Sequence, residues 1–478
     1  MKLKKISLLC LSLTLGLMSC SKDSDGLDAI ENEQKYEGTT FASLTINVGD
    51  VTKAAPGEDG DGIEVGEEGE QLISELYIFS FKSGDDNALL FRKDFGMIIV
   101  NQQKGQTGAF SIPVGEQKMY IVANPSETIK DVFKDGSITL PEFEQIVFTE
   151  QNSKSGNFMM SSCDGAELIN PSKGDILNID VNLSRILAKI TYVKQANNAD
   201  NSYAFSKSTI QLTGAKIINK HKNEYLLRRV GTSAQDWIIG GKEKATGLVA
   251  ENYVIDPDFF IKDPSLNNDL DIIKNKSNYY ESDLVYTDLG TADSKLIGYC
   301  LENTMHADAQ YQTYTTGIVL SAKCDIDDSD FYTAPKDGDE YRKNKTFYRT
   351  ADGRLYPSLE AIVYAYDPNY QKVSENPNYQ LELSSKNVKY ETFKEGVCYY
   401  PVWLRHADNQ DEKNMGVMEF GIVRNNVYKL KVTKIKGLGL SKDDGIEDSK
   451  DPDEDPKVYL DASVTIMPWI VRENNVEL

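Results

Sequence analysis

Side-chain chemistry needs particular residue types held close together, and this sequence offers few such groupings. Its three histidines, His221, His306 and His406, stand in unrelated contexts, without an HExxH, a GxSxG or a phosphate-cradling P-loop run. The 74 aspartates and glutamates could contain a glycosidase-like carboxylate pair, but spacing alone singles none out. The chain is therefore read as a non-enzyme. Cys163, Cys300, Cys324 and Cys398 form no CxxC, and their wide spacing argues against zinc. They are read as buried thiols or, in an oxidising compartment, as containing a Cys300 to Cys324 bridge. The acidic run 442–457, KDDGIEDSKDPDEDPK, has oxygen ligands for calcium but lacks the EF-hand spacing, so a solvated loop is expected, with no metal and no cofactor.

Two other residues stand in settings that invite covalent change. Residues 1–19 carry Lys2, Lys4 and Lys5 before an apolar run, 6–18, that is too short to remain as a membrane-spanning helix, which is the pattern of an export signal. The signal ends in Leu17-Met18-Ser19-Cys20, similar to a bacterial lipobox, in which Cys20 would carry a covalent lipid and become the mature N-terminus. Farther on, Lys53 is the only Lys or Arg between Tyr36 and Lys82, and it heads a Gly- and acid-rich stretch, 49–69, that cannot build a core. A basic residue in such an extended loop suits a trypsin-like protease, with Lys53-Ala54 as the bond cut.

These residues must be set in a framework, and the rest of the sequence indicates what kind. At 478 residues the chain suggests two domains with tails, and its formal charge of −22 disfavours nucleic acid as a partner. Twenty-six tyrosines and short alternating runs separated by turn signals indicate β-structure. Strands are expected at 41–48, 73–81, 89–95, 109–113, 118–123, 176–182 and 183–190, and then at 209–218, 317–322, 359–365, 396–404, 426–435 and 458–467. Short helices are expected at 129–133 and after Pro141. The fold class is all-β: two Ig-like or transthyretin-like Greek-key β-sandwiches with few short helices. The expected divisions are a signal at 1–19, a lipidated propeptide with the first strand at 20–53, an N-terminal sandwich at 54–182, a C-terminal sandwich at 183–457, and a donor-strand region at 458–478.

The two ends match each other. Ala42-Ser43-Leu44-Thr45-Ile46 and Ala462-Ser463-Val464-Thr465-Ile466 differ at one position, conservatively. Ala42, Leu44, Ile46 and Val48 share one face of the first strand, and Leu460, Ala462, Val464 and Ile466 share one face of the last. A strand that replaces another must keep this alternation, because a slip of one residue turns every apolar group outward. Pro468 is expected to end one strand before Trp469 begins the next.

With these features the sequence resembles the type V pilus fimbrillins. The likeness is densest at Val423-Arg424-Asn425-Asn426-Val427-Tyr428, Ile435-Lys436-Gly437-Leu438-Gly439 and Val464-Thr465-Ile466-Met467-Pro468-Trp469. It extends to Tyr399-Tyr400, Tyr120-Ile121-Val122-Ala123-Asn124 and Arg185-Ile186-Leu187-Ala188-Lys189. The resemblance implies a lipidated precursor held at the outer membrane, removal of the first strand, and growth of a homopolymer as the terminal strand of one copy, with Trp469, fills the vacated groove of the next. Accessory fimbrial subunits and host or bacterial surface ligands are implied as further partners. The family's cleavage position falls on Lys53-Ala54, where its best-known member has Arg, so the protease must accept Lys. Alternatives are an anchored lipoprotein that binds a glycan or protein without polymerising, and an accessory tip or anchor subunit.

Overall fold

The computed structural model describes residues 39–48, 64–65, 68–84, 88–101, 104–149, 157–162, 166–233, 236–239, 253–258, 276–304, 311–372, 374–375, 377–406, 411, 419–448 and 459–470. Among the described residues, the first sheet is ten-stranded and includes β1 (Thr39–Val48), β2 (Leu76–Lys82), β3 (Leu89–Phe95), β4 (Lys104–Gln106), β5 (Phe110–Pro113), β6 (Gln117–Ala123), β7 (Met160–Ser162) and β8 (Ile176–Arg185). They run in the order β3-β2-β6-β7-β8-β1-β4, with β5 also pairing with β1. Alternation assigns the faces of this sheet. Leu76 and Ile78 of β2 join Met119 and Ile121 of β6 in one core with the apolar row of β1. Phe79, Phe81, Tyr120 and Val122 point the other way, into a second cluster with Ile129, Leu140 and Phe143.

That second face is covered by two helices lying where the sequence suggests them, α1 (Glu127–Asp135) and α2 (Leu140–Glu144). α1 ends at Gly136, whose left-handed backbone, φ 68°, lets its N–H reach the Val132 carbonyl. α2 starts with a capping box between Thr139 and Glu142 and carries Pro141 in its first turn.

Among the described residues, two five-stranded sheets follow, which include β9 (Ala188–Val193), β10 (Ser202–Phe205), β11 (Ser208–Ile218), β12 (Ser294–Cys300), β13 (Gly317–Asp325), β14 (Val397–Trp403), β15 (Asn426–Ile435) and β16 (Leu460–Ile470). One sheet runs β16-β15-β9-β12 and the other β10-β11-β13-β14. Ile190, Leu320, Tyr400, Tyr428 and Leu430 belong to a single core shared by these two sheets. The molecule is thus mainly strands with few short helices. Among the described residues no helix is long and apolar enough to cross a membrane.

Several local expectations are corrected. Residues 359–365 are not a strand: they form α4 (Leu359–Tyr366), which follows α3 (Glu340–Asn344) and precedes α5 (Tyr379–Ser385). The Ser358 hydroxyl caps α4 by accepting from the Ala361 N–H, and Leu359, Ile362 and Val363 are its buried side. In an almost continuously apolar run, that helical spacing cannot be told from a buried strand. The run 176–190 breaks at 186–187, where Ile186 and Leu187 enter the core beneath α1 and α2. Pro468 does not end a strand, because β16 continues to Ile470. Pairing with β15 stops at Asn426 opposite Pro468, and the next residues, Trp469 and Ile470, pair with Glu64 and Val65 on the other edge. The acidic run is not wholly solvated: Asp443 accepts from Lys216 and from the Tyr286 hydroxyl at 2.8 and 2.9 Å, and Ile446 is buried.

Candidate functional site

β1 is an interior strand. It pairs in parallel with β8 from Phe41 opposite Ile176 to Val48 opposite Leu183. Along its other edge, Thr39 to Ala42 pair with β5 and Thr45 to Asn47 with β4. Thr107 fills the gap between those partners: its hydroxyl accepts from the Leu44 N–H at 2.9 Å, and its own N–H donates to the Leu44 carbonyl at 3.1 Å. Leu44, Ile46 and Val48 are 0% exposed and Ala42 1%. On the opposite face, Ser43 and Thr45 meet Asn178, and Asn47 donates to Asn182 at 3.0 Å. Removing this strand would uncover a trough of apolar side chains flanked on both sides by unpaired amides and carbonyls.

β16 has a different setting. It lies antiparallel to β15, from Leu460 opposite Ile435 to Pro468 opposite Asn426, with an irregularity between Val432 and Lys434. Its apolar row is used unevenly. Leu460 is buried, Val464 and Ile466 are half-buried against the second core, and Ala462 is exposed. The register shift opposite Asp461 and Ala462 breaks the alternation there, so the expected uniform half-buried face is interrupted. Trp469 pairs through its backbone with Glu64. Cys20, Lys53 and Ala54 lie outside the described residues, as do His306 and Cys163.

The other candidate groups are dispersed. His221 is buried with Nε2 at 2.7 Å from Asp258 Oδ2, while His406 bonds through Nδ1 to the Tyr428 hydroxyl at 2.8 Å. Among the described residues, no three His, Cys, Asp or Glu side chains gather as a metal-binding group. The suggested Cys300 to Cys324 pairing gives way to a different neighbour, since Cys324 Sγ lies 3.0 Å from Cys398 Sγ.

A buried junction escaped the sequence reading. The Arg424 guanidinium is 0% exposed and pairs with Glu302 at 2.9 Å and with Glu224, both also buried. Burial pushes Glu224 well above the usual carboxylate range, against the pull of Arg424 and with a further push from Glu302. Next to it, the Asn425 side chain accepts from the Arg185 N–H and Nη1 at 3.4 and 3.3 Å, and Arg185 Nε donates to the Glu70 carbonyl at 2.8 Å. Asn425 itself takes a left-handed backbone, φ 59°. The runs at 185–189 and 424–428, which carry part of the family resemblance, therefore meet here. Their joint presence in the sequence was the available signal.

Comparison with known proteins places a family on one part of the chain. Residues 391–475 match the family model described as major fimbrial subunit protein type IV, fimbrillin, C-terminal. No curated protein sequence matches significantly. Among solved structures, the chain is similar to a fimbrilin from Porphyromonas gingivalis at 15% identity, with 90% of this chain and 98% of that one covered and a TM-score of 0.42. It is also similar to the C-terminally truncated tip fimbrial protein Mfa3 from Porphyromonas gingivalis at 10% identity, with 90% and 100% covered and a TM-score of 0.40. A fimbrial assembly protein from Parabacteroides distasonis overlaps at 11% identity, with 90% and 98% covered and a TM-score of 0.32. Residues 391–475, which take in β14, β15 and β16, are thus similar to the C-terminal region of a fimbrillin.

Proposed function

We propose that this protein is a structural subunit of a bacterial fimbria, exported as a lipoprotein on Cys20 and held at the outer membrane until it is cut at Lys53-Ala54. After the cut, β1 leaves and the terminal strand of another copy takes its place. The contact is head-to-tail, so it extends into an open filament instead of closing into a dimer. Mature filaments are extracellular and support adhesion, with accessory subunits at tip or base.

One observation carries this reading: the apolar row of β1 is wholly buried in a strand paired along both edges, and its pattern recurs in β16, whose own row is only partly used. Burying Leu44, Ile46 and Val48, or their replacements, contributes on the order of 5–9 kcal/mol before the backbone ladder is counted. Limited trypsin treatment of the purified precursor should turn monomer into ladders of heat-resistant multimers. Lys53→Ala should prevent this, and truncation before Val458 should leave protein that is cut but unable to extend. Multimers formed by the truncated protein would end the proposal.

The pairing of β16 with β15 along its length favours a second reading, an anchored lipoprotein that keeps its last strand at home and binds a glycan or protein partner. N-terminal mass spectrometry of surface material separates the two. Ala54 supports the filament, and lipidated Cys20 supports the anchor.

A further inference from the structure

Cys324 and Cys398 lie on adjacent antiparallel strands. Ala322 of β13 faces Cys398 of β14, so Cys324 is the diagonal neighbour of Cys398 on the same side of the sheet. Their sulfurs are 3.0 Å apart, about 1 Å beyond the roughly 2.05 Å of a disulfide bond. The two residues stand 74 positions apart in the chain. The segment between them holds α3, α4 and α5 with their own aromatic cluster around Tyr348, Tyr356 and Leu383.

The two thiols differ in access. Cys324 lines an open cleft of about 630 Å³ with Thr209, Gln211, Lys323, Lys345 and Glu395. Cys398 sits behind it, 0% exposed, in the core with Tyr400. Cys300 is buried on β12 in the other sheet of this part of the molecule.

We propose that Cys324 and Cys398 are a built oxidation site, in which a disulfide-bearing oxidant met after export converts the two thiols into a cystine that ties β13 to β14. The Cys324 sulfur, reached from the cleft, attacks one sulfur of the oxidant and expels the first thiol, which takes the Cys324 proton. Cys398 then attacks Cys324 Sγ and expels the second thiol with the remaining proton. Two protein thiols are oxidised to one disulfide, and one external disulfide is reduced to two thiols. Burial opposes the Cys398 thiolate, but contacts with the Cys324 thiol, the Tyr400 hydroxyl and the Gly439 N–H outweigh it and hold Cys398 below the ordinary thiol range. Cys324 is pushed upward by its bond to Cys398 and by burial. Access sets the order of attack, because Cys324 borders the cleft and Cys398 lies behind it. The resulting cross-link closes a long loop around the helical segment and restricts the unfolded chain.

The test uses the full purified protein and oxidised glutathione as the probe. After incubation, free thiols are alkylated in denaturant and the peptides mapped by mass spectrometry. The expected result is a Cys324 peptide joined to a Cys398 peptide, Cys300 still alkylated, and a rise in Tm of about 5–10 °C over the reduced protein. Cys398→Ser should arrest the reaction as a glutathione adduct on Cys324, and Cys324→Ser should abolish both products. Alkylation of both cysteines in the oxidised wild type, a bridge involving Cys300, or a stable adduct on wild-type Cys324 would overturn the assignment. A Cys324 to Cys398 bridge that leaves Tm unchanged would overturn the stabilising role.

Discussion

His406 shows how a single buried side chain sets a pH response. Burial holds its imidazole down at about 4, below the 6.5 of a free histidine. The neutral ring bonds to Tyr428, and the His406 N–H donates to the Glu419 carbonyl at 2.6 Å, beside the Arg405 to Glu419 ion pair. Between these two values the unfolded chain binds the proton and the folded one does not. Stability from this group is therefore complete above pH 6.5 and is lost as pH falls towards 4, by roughly 3 kcal/mol. His406→Gln should flatten the urea-unfolding free energy over that window relative to wild type, and parallel pH profiles would contradict the assignment. The Arg424 junction gives a second prediction at this scale. Arg424→Met leaves Glu224 and Glu302 buried without their cation and should cost about 3–5 kcal/mol in the same measurement. Replacing both carboxylates by Gln in that background should recover part of the loss. Neither residue could be assigned from spacing, because the partners of Arg424 lie far away in the chain and nothing local marks them.

At the scale of elements, period-two strands were the most legible part. The expected face of β1, with Ala42, Leu44, Ile46 and Val48, is the face buried in the structure. Residues 89–95 are β3, and 426–435 are β15, in which buried Tyr428, Leu430 and Val432 alternate with half-buried Lys429 and Lys431 as the sequence does. α4 was misread because its apolar residues nearly fill the run, and only the Ser358 cap marked a helix start. The interrupted face of β16 was hidden for another reason: the irregularity that breaks it lies in its partner β15. These settings predict opposite effects for equivalent substitutions. Ile46→Ala weakens the hold of β1 by about 2–5 kcal/mol and should speed multimer formation after trypsin cleavage. Ile466→Ala removes a side chain from the incoming strand and should slow it. Gel time courses that show both variants slowed alike would contradict exchange at β1.

For the whole molecule, the sequence indicated an all-β fold and matching strands at its two ends, but not where those strands sit in their sheets. The proposed exchange depends on a strand central to one sheet and a matching strand next to the edge of another, whose outer side is paired at Trp469 and Ile470, a relation visible only once the sheets are ordered. Cleavage cannot by itself open the groove, because β1 stays hydrogen-bonded on both sides after its covalent link is cut. In the proposed assembly the incoming strand must displace it, so multimers should form slowly, at a rate limited by the loss of β1.

The register supplies the most direct measurement. Ser43 meets Asn178 across β1 and β8, with its hydroxyl 3.2 Å from Oδ1, and Ser463 is its counterpart in β16. A protein carrying Asn178→Cys and Ser463→Cys, cut with trypsin and mildly oxidised, should form disulfides between those two positions on different chains, in multimers that begin at Ala54. Multimers beginning at Ala54 without that cross-link, or with Ser463→Cys still held opposite Lys431 of its own chain, would contradict the replacement of β1 by a neighbour's β16.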